Sequence, residues 1–346
     1  MEKKEGSPRV HCRVWVIALC SLWSLGLISM FLIEHGIGEE TYPRQTIKVI
    51  CGYAPGGSSE RPVRLLLPLL QKHLRQNVMI ENLTGAGGVL AANKVFSSPP
   101  DGYTLLTGQP GTLILLEKYL SEIVRYRTKD LTHIYNIAQD DFVLLSHPEV
   151  FQTFEEFLGA ARKRRLRAAI SGWGTHTHLY IVMLEEMIGQ KFIIVPFEGG
   201  RVSIAALLGK HVDIVGTFIS TSYPIIRSGT VKPLMVFSDR RHPTLSQIPI
   251  PGEMGFRDFT PFDYHTGILG PPQLPGDRIK ILEGIFDQAV KEPEFYEKAK
   301  EAGVDVYPLN SKEYLAETEK QYSLLKKYIK VLKGAEDQKT PIHREK

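Results

Sequence analysis

Three glycine-rich turns near the start of this chain carry the residue types best suited to holding an anion. The first is Gly56-Gly57-Ser58-Ser59-Glu60, reached through Cys51-Gly52-Tyr53-Ala54-Pro55. The second is Gly85-Ala86-Gly87-Gly88, and the third is Gly108-Gln109-Pro110-Gly111-Thr112. Each sits where a strand would hand over to a helix. Glycine lets backbone N–H groups approach a ligand with no Cβ in the way. The helix that follows offers free N–H groups and the positive end of its dipole. Three such ends point to a cradle for a carboxylate or a phosphate.

The known nucleotide cradles fit poorly. A Walker loop ends in Gly-Lys-Ser/Thr, and Gly57-Ser58-Ser59 has no lysine to reach a phosphate. Gly85-x-Gly87 has Leu90 where a dinucleotide fingerprint places its third glycine. Other chemistry is no better supplied. His176-Thr177-His178 lacks a third metal ligand at familiar spacing, and Ser58 and Ser171 show no nucleophile elbow or triad order. Asp140-Asp141 and Glu185-Glu186 are adjacent in sequence and so point differently, unlike a glycosidase pair. No enzyme activity, metal or cofactor is expected.

The elements that must position the turns alternate. Strands are expected at 46–50, 77–81, 103–107 and 142–146, with helices at 62–74 and 89–97, a βαβαβ rhythm that implies a mostly parallel sheet. After His147-Pro148 a second series follows, with helices at 154–164, 177–188 and 202–208 and strands at 166–170, 192–195, 214–218 and 231–238. Helices at 276–290, 292–302 and 311–332, around a short strand at 304–307, have no sheet of their own and are expected to pack on the first lobe. The domain plan is therefore 43–145 plus 262–334 as a discontinuous first lobe, with 146–261 inserted as a second.

Composition is that of a soluble globular protein, with 43% hydrophobic and 23% charged residues, and it gives no reason to expect disorder outside the ends. A net charge of +4 over 346 residues is too weak to point to nucleic acid. The cluster Arg162-Lys163-Arg164-Arg165-x-Arg167 reads as a solvated helix end. Lys3, Lys4, Arg9 and Arg13 followed by the apolar stretch 14–33 form an export signal. The stretch is long enough to span a bilayer, and Gly36-Ile37-Gly38 offers small residues for cleavage before Glu39, so 1–38 is either a cleaved signal peptide or an anchor. Of three cysteines only Cys51 lies beyond that segment, where it is expected to pack as a small hydrophobe. The residues 335–346 form a charged tail.

Several motifs in one order carry a family resemblance. Tyr42-Pro43, Pro55-Gly56-Gly57-Ser58, Glu81-Asn82 with Gly85–Gly88, Pro100-Asp101-Gly102-Tyr103-Thr104-Leu105-Leu106 and Pro110-Gly111-Thr112 come first. Ser171-Gly172-Trp173-Gly174-Thr175 with His178-Leu179, Val195-Pro196-Phe197 with Gly199, and Leu207-Leu208-Gly209 with Val212-Asp213 follow. Over most of the chain this order resembles the tripartite tricarboxylate transporter receptor family, the Bug-type extracytoplasmic solute receptors.

The resemblance implies an α/β, two-lobed type II periplasmic-binding-protein fold with a ligand cleft between the lobes. It implies a receptor in the periplasm, or at the outer face of the cytoplasmic membrane, that passes a small organic carboxylate to integral membrane transporter subunits. A monomer is expected, and nucleic acid is not a partner. A ligand-sensing subunit for a membrane signalling protein is the alternative. Carried over position by position, the ligand-binding candidates are Tyr53, Gly57, Ser58, Ser59 and Thr112 in the first lobe. In the second they are Gly172, Gly174, Thr175, Arg201 and Asp213. The chain departs from the family pattern with Glu60 in place of aspartate, and with Trp173 and Arg201 where small residues are usual. Trp173 is a candidate to narrow the pocket or stack on a flat ligand, and Arg201 to clamp a second carboxylate or to pair with Glu198.

Overall fold

The computed structural model describes residues 42–334 apart from Asp258, Thr260 and Asp263. The expected export segment, 1–38, and the charged tail, 335–346, lie outside the described residues. Among the described residues no helix is long and apolar enough to cross a membrane.

From Gln45 the chain forms one compact unit built on two sheets. The first stretch runs β1 (Ile47–Cys51), α1 (Arg61–Leu74), β2 (Val78–Asn82), α2 (Val89–Phe96), β3 (Thr104–Gly108), α3 (Pro110–Tyr119) and β4 (Thr132–Asp140). The chain then crosses into β5 (Phe142–Ser146), α4 (Phe154–Ala161), β6 (Arg167–Ile170), α5 (His176–Ile188) and β7 (Ile193–Pro196). This stretch continues with α6 (Gly200–Leu208), β8 (Ile214–Phe218), α7 (Ile219–Arg227) and β9 (Lys232–Phe237). It returns through β10 (Tyr264–Gly270), α8 (Gly276–Val290), α9 (Pro293–Ala302), β11 (Asp305–Leu309) and α10 (Ser311–Gly334).

The strand orders are β11-β4-β10-β3-β1-β2 and β7-β6-β8-β5-β9. In the first sheet β1 is parallel to β2 and β3, while β10 runs antiparallel between β3 and β4. In the second, β6 is parallel to β7 and β8, and β5 is antiparallel to β8 and β9.

Two sequence expectations change here. The domain plan places most of the strand at 142–146 in the first lobe, yet β5 lies inside the second sheet. Its Phe142 ring stacks on Tyr180, centroids 4.4 Å apart, and meets Phe237 and Phe218 edge-on. Burial of that ring draws the crossing back to Asp141. The first sheet also holds two strands that the pattern did not mark, β4 and β10. All of β10 and the six consecutive residues 133–138 of β4 are buried, so neither shows the alternation of a half-exposed strand.

Helix starts follow their caps. Proline stands in the first turn of α1 and α3, where its missing N–H costs nothing. Thr153 Oγ1 accepts from Glu156 N, and Thr175 Oγ1 from His178 N, at the starts of α4 and α5. Each sheet has its own core, around Ile50, Leu106 and Leu269 in one and Val143, Val215 and Val236 in the other. A further cluster joins Leu115 and Tyr119 of α3, Leu179 and Tyr180 of α5, and Leu325 and Leu332 of α10. The lobes therefore share a hydrophobic seam beside the cleft.

Candidate functional site

The turn after β1 is shaped by Glu60. Its side chain is fully buried, and its carboxylate accepts from Gly56 N (2.8 Å), Asn82 Nδ2 (3.2 Å) and Arg64 Nε (2.5 Å). The extra methylene relative to aspartate lets the carboxylate fold back over the turn that it follows. Gly56 has φ 85°, a left-handed conformation that glycine adopts without steric cost. The turn then presents Gly57, Ser58 and Ser59 to the interior.

A cavity of about 20 Å³ lies between the lobes. Tyr53, Gly57, Ser58 and Ser59 line it from the first turn, and Tyr264 from the start of β10. The second lobe contributes Ser171 and Thr177, then Gly200, and then Thr217, Phe218 and Thr221. Ser59 stands just before α1, Thr177 in the first turn of α5, Gly200 at the start of α6 and Thr221 in the first turn of α7. Four helix N-termini thus converge on one small volume. Their aligned N–H groups make it electropositive although no cationic side chain lines it.

The hydroxyls are held in place by bonds to one another and to the backbone. Ser58 Oγ and Tyr264 Oη are 3.0 Å apart, and Thr107 Oγ1 donates to Ser59 O at 2.5 Å. Across the cleft, Thr177 Oγ1 lies 2.8 Å from Ser171 Oγ and 2.9 Å from Thr175 Oγ1, and accepts from Ser171 N at 2.9 Å. Tyr53 Oη donates to Gly87 O at 2.6 Å. Burial raises the Tyr53 and Tyr264 phenols well above their ordinary range, so both remain neutral donors. The Tyr264 ring lies flat against Phe218, centroids 3.6 Å apart. A volume of about 20 Å³ holds about one water.

Asp140 ends β4 and accepts from Ser220 N at 3.2 Å, bridging the lobes at the first turn of α7. Burial pushes its carboxyl up to about 8, so near neutral pH it is largely protonated and does not cancel the positive helix end. A larger cavity, about 740 Å³, opens on the other side of Tyr264 among Asp141, Arg240 and Lys300. It is roomier, but none of the sequence-derived residues lines it, and its charges carry both signs. The small cavity is the one on which the helix ends converge and which the residues of the first turn line.

The ten sequence-derived residues separate into groups. Tyr53, Gly57, Ser58 and Ser59 line the cavity. Thr112, Gly172, Gly174 and Thr175 do not; they form the lobe-to-lobe contact beside it. Thr112 Oγ1 meets His176 Nδ1 at 2.6 Å, and a Cβ on Gly172 would stand 3.1 Å from Gly87 Cα. Arg201 lies at the rim, its Cδ 3.1 Å from where a Cβ on Gly56 would be.

Asp213 is a correction. It precedes β8, at the opposite end of that strand from Thr217, and is occupied by Arg164 Nη2 (2.8 Å) and Arg167 N (2.6 Å). Trp173 is another, since its ring packs edge-on against His178, centroids 4.8 Å apart, rather than in the cavity. Glu198 makes no ion pair with Arg201 among the described residues. Cys51 is buried, and desolvation pushes its thiol up to about 12, which leaves it un-ionised and without nucleophilic character.

Residues that the sequence did not single out are Thr177, Gly200, Thr217, Phe218, Thr221 and Tyr264. Thr217–Thr221 had one usable signal, a strand running into a hydroxyl-rich turn. Tyr264 had none.

Two lobes, each an open sheet covered by helices, with helix N-termini facing a cleft between them, define a solute-binding protein of the periplasmic type. The family model described as the tripartite tricarboxylate transporter family receptor matches residues 63–333, and the chain belongs to that family. It is 29% identical to a UPF0065 protein in the gbd 5′ region of Cupriavidus necator, over 80% of this chain and 84% of that one. It is 28% identical to protein BugT of Bordetella pertussis, over 77% and 84%. Among solved structures the periplasmic binding protein BugD aligns with a TM-score of 0.78 at 25% identity, over 85% of this chain and 98% of that one. The malate-bound MatC of Rhodopseudomonas palustris aligns with a TM-score of 0.76 at 24% identity, covering 84% and 100%. An adipate-bound R. palustris protein aligns at 0.79 and 23%, covering 84% and 98%; at these identities the last two speak for the fold.

Proposed function

We propose that this protein is an exported receptor that captures a small organic carboxylate between its lobes and presents it to membrane subunits of a tripartite tricarboxylate transporter. The observation that carries this reading is the convergence of four helix N-termini and several hydroxyls on a cleft lined by no charged side chain. In it a carboxylate takes its donors from among Gly57, Ser58, Ser59, Ser171, Thr177, Gly200, Thr217 and Thr221, while Tyr53 and Tyr264 close over it. Malate and adipate in structures of the same fold are consistent with that ligand class.

Magnitudes are adequate. Hydrogen bonds to a charged group contribute roughly 1.5–3 kcal/mol each. About four to six of them reach the roughly 8 kcal/mol of a micromolar complex, with some margin for ordering and closure. Thermal-shift measurements with mono-, di- and tricarboxylates and aromatic acids test the reading. A ligand at about a hundred times its Kd stabilises the native state by about 2.7 kcal/mol. No stabilisation by any acid, together with turnover of one of them, would sink it.

A further inference from the structure

Two arginines meet at the rim of the cleft, one from each lobe. Arg61 opens α1, and Arg201 is the second residue of α6. Both border Gly56. Arg61 Nη2 donates to Gly56 O at 3.3 Å, and a Cβ on Gly56 would stand 3.1 Å from Arg201 Cδ and 3.6 Å from its Cζ. Their neighbours Gly57 and Gly200 line the cavity itself, so the guanidinium groups stand immediately outside the carboxylate cradle.

Arg61 feels the acidic groups of Asp140 and Glu60 less than it feels burial and Arg201. Among the described residues neither forms an ion pair, although two glutamates are near in sequence. Glu60 is taken up by Arg64 and by the turn, and Glu198 makes no ion pair. Arg61 Nε is buried without a hydrogen-bond partner, a costly arrangement for a donor on a charged group. Burial first, and then the charge of Arg201, hold the Arg61 guanidinium below its ordinary value. Lobe closure thus brings together two like charges and one unsatisfied donor. A carboxylate between them would relieve both, through the forked geometry that guanidinium groups offer it.

We propose that Arg61 and Arg201 form a second anion subsite that holds the distal carboxylate of the ligand, so that closure selects a dicarboxylate over a monocarboxylate of the same length. This rests on the receptor reading above, with the proximal carboxylate at the helix N-termini. Arg61 is the specificity determinant on the first lobe and Arg201 its counterpart on the second.

Calorimetry with matched acids, butyrate against succinate and hexanoate against adipate, tests it on the purified protein and on Arg61→Gln, Arg201→Gln and the double variant. Arg201 is exposed, so its replacement leaves the fold intact whatever Arg61→Gln does. The expected result is that the wild type prefers the diacid, and that each single change lowers diacid affinity about tenfold or more while shifting monoacid affinity less than about twofold. The double variant should lose less than the product of the single losses, because both groups hold one carboxylate. Equal losses for the two acids, or none for either in a protein that still binds them, overturn the subsite and leave the receptor reading standing. A wild type that binds no acid overturns both.

Discussion

Thr112 Oγ1 and His176 Nδ1 lie 2.6 Å apart, both residues buried, and their hydrogen bond fastens the first turn of α3 in one lobe to the first residue of α5 in the other. A glycine makes room for it, since a Cβ on Gly111 would stand 2.6 Å from His176 Cε1. The ring's other nitrogen, Nε2, is buried without a hydrogen-bond partner. Replacing Thr112 with valine keeps the shape and removes the bond. The expected loss is about 1–3 kcal/mol of stability, the cost of leaving a buried polar atom unpaired. Urea denaturation reads it, and an unchanged midpoint would show that the lobes do not depend on this bond.

The same histidine gives the protein an acid limit. Burial, with a smaller contribution from His265, lowers His176 to about 3, and burial lowers His133 to about 4. The unfolded chain protonates both near 6.5, so below that pH it binds more protons than the folded one. Their contribution is fully present above about pH 6.5 and is lost as the pH falls toward the folded values. Each pH unit between a folded and an unfolded pKa corresponds to about 1.4 kcal/mol. The stability advantage of the wild type over His133→Gln should therefore grow as the pH rises from 5 to 7, and a constant difference would contradict the lowered value.

Asp140 acts with the opposite sign. With its carboxyl pushed up to about 8, the folded chain keeps a proton that the unfolded chain releases near 3.9. Its penalty therefore accumulates as the pH rises from about 4 to 8. Asp140→Asn, which mimics the protonated acid, should gain stability relative to the wild type as the pH climbs through that window. A constant difference across the window would contradict the raised value.

Adjacent glycines in the first turn should respond differently. Gly56→Ala places a side chain at φ 85°, costing roughly 1–2 kcal/mol, and presses on Arg201. Gly57 has no such constraint, and the nearest atom to a Cβ there is Ala54 O at 3.9 Å. Gly57→Val should fold with near-native stability yet lose carboxylate affinity, because its methyl groups occupy the small cavity. Near-native affinity in a folded Gly57→Val would remove that turn from the site.

Asp213→Ala should do the reverse. Losing the acceptor for Arg167 N and the Arg164 pair is expected to cost about 1–3 kcal/mol, mainly from the backbone donor, since Arg164 is half exposed. Ligand affinity should not change, because Asp213 stands at the far end of β8. A calorimetric loss of binding with unchanged stability would reverse that assignment.

Local pattern in the amino-acid order carries the βα rhythm, the glycine turns and the family motifs, because backbone conformation answers to neighbouring residues. It singles out Tyr53, Gly57, Ser58 and Ser59, which line the interlobe cavity, since a turn after a parallel strand presents its residues at the sheet's carboxyl edge. It does not mark α7, whose Ile219-Ser220-Thr221-Ser222 start and internal Pro224 disfavour a helix until packing on the second sheet decides. Nor does it mark β10. That strand enters antiparallel between β3 and β4, with Gly267 opposite Gly108, and only this register carries Tyr264 to the mouth of β3 and onto Phe218. The approach of Arg61 to Arg201 is likewise a product of two lobes closing, 140 positions apart in the chain. Side chains from distant segments converge through sheet register and lobe packing, and neither leaves a periodic trace in the residues themselves.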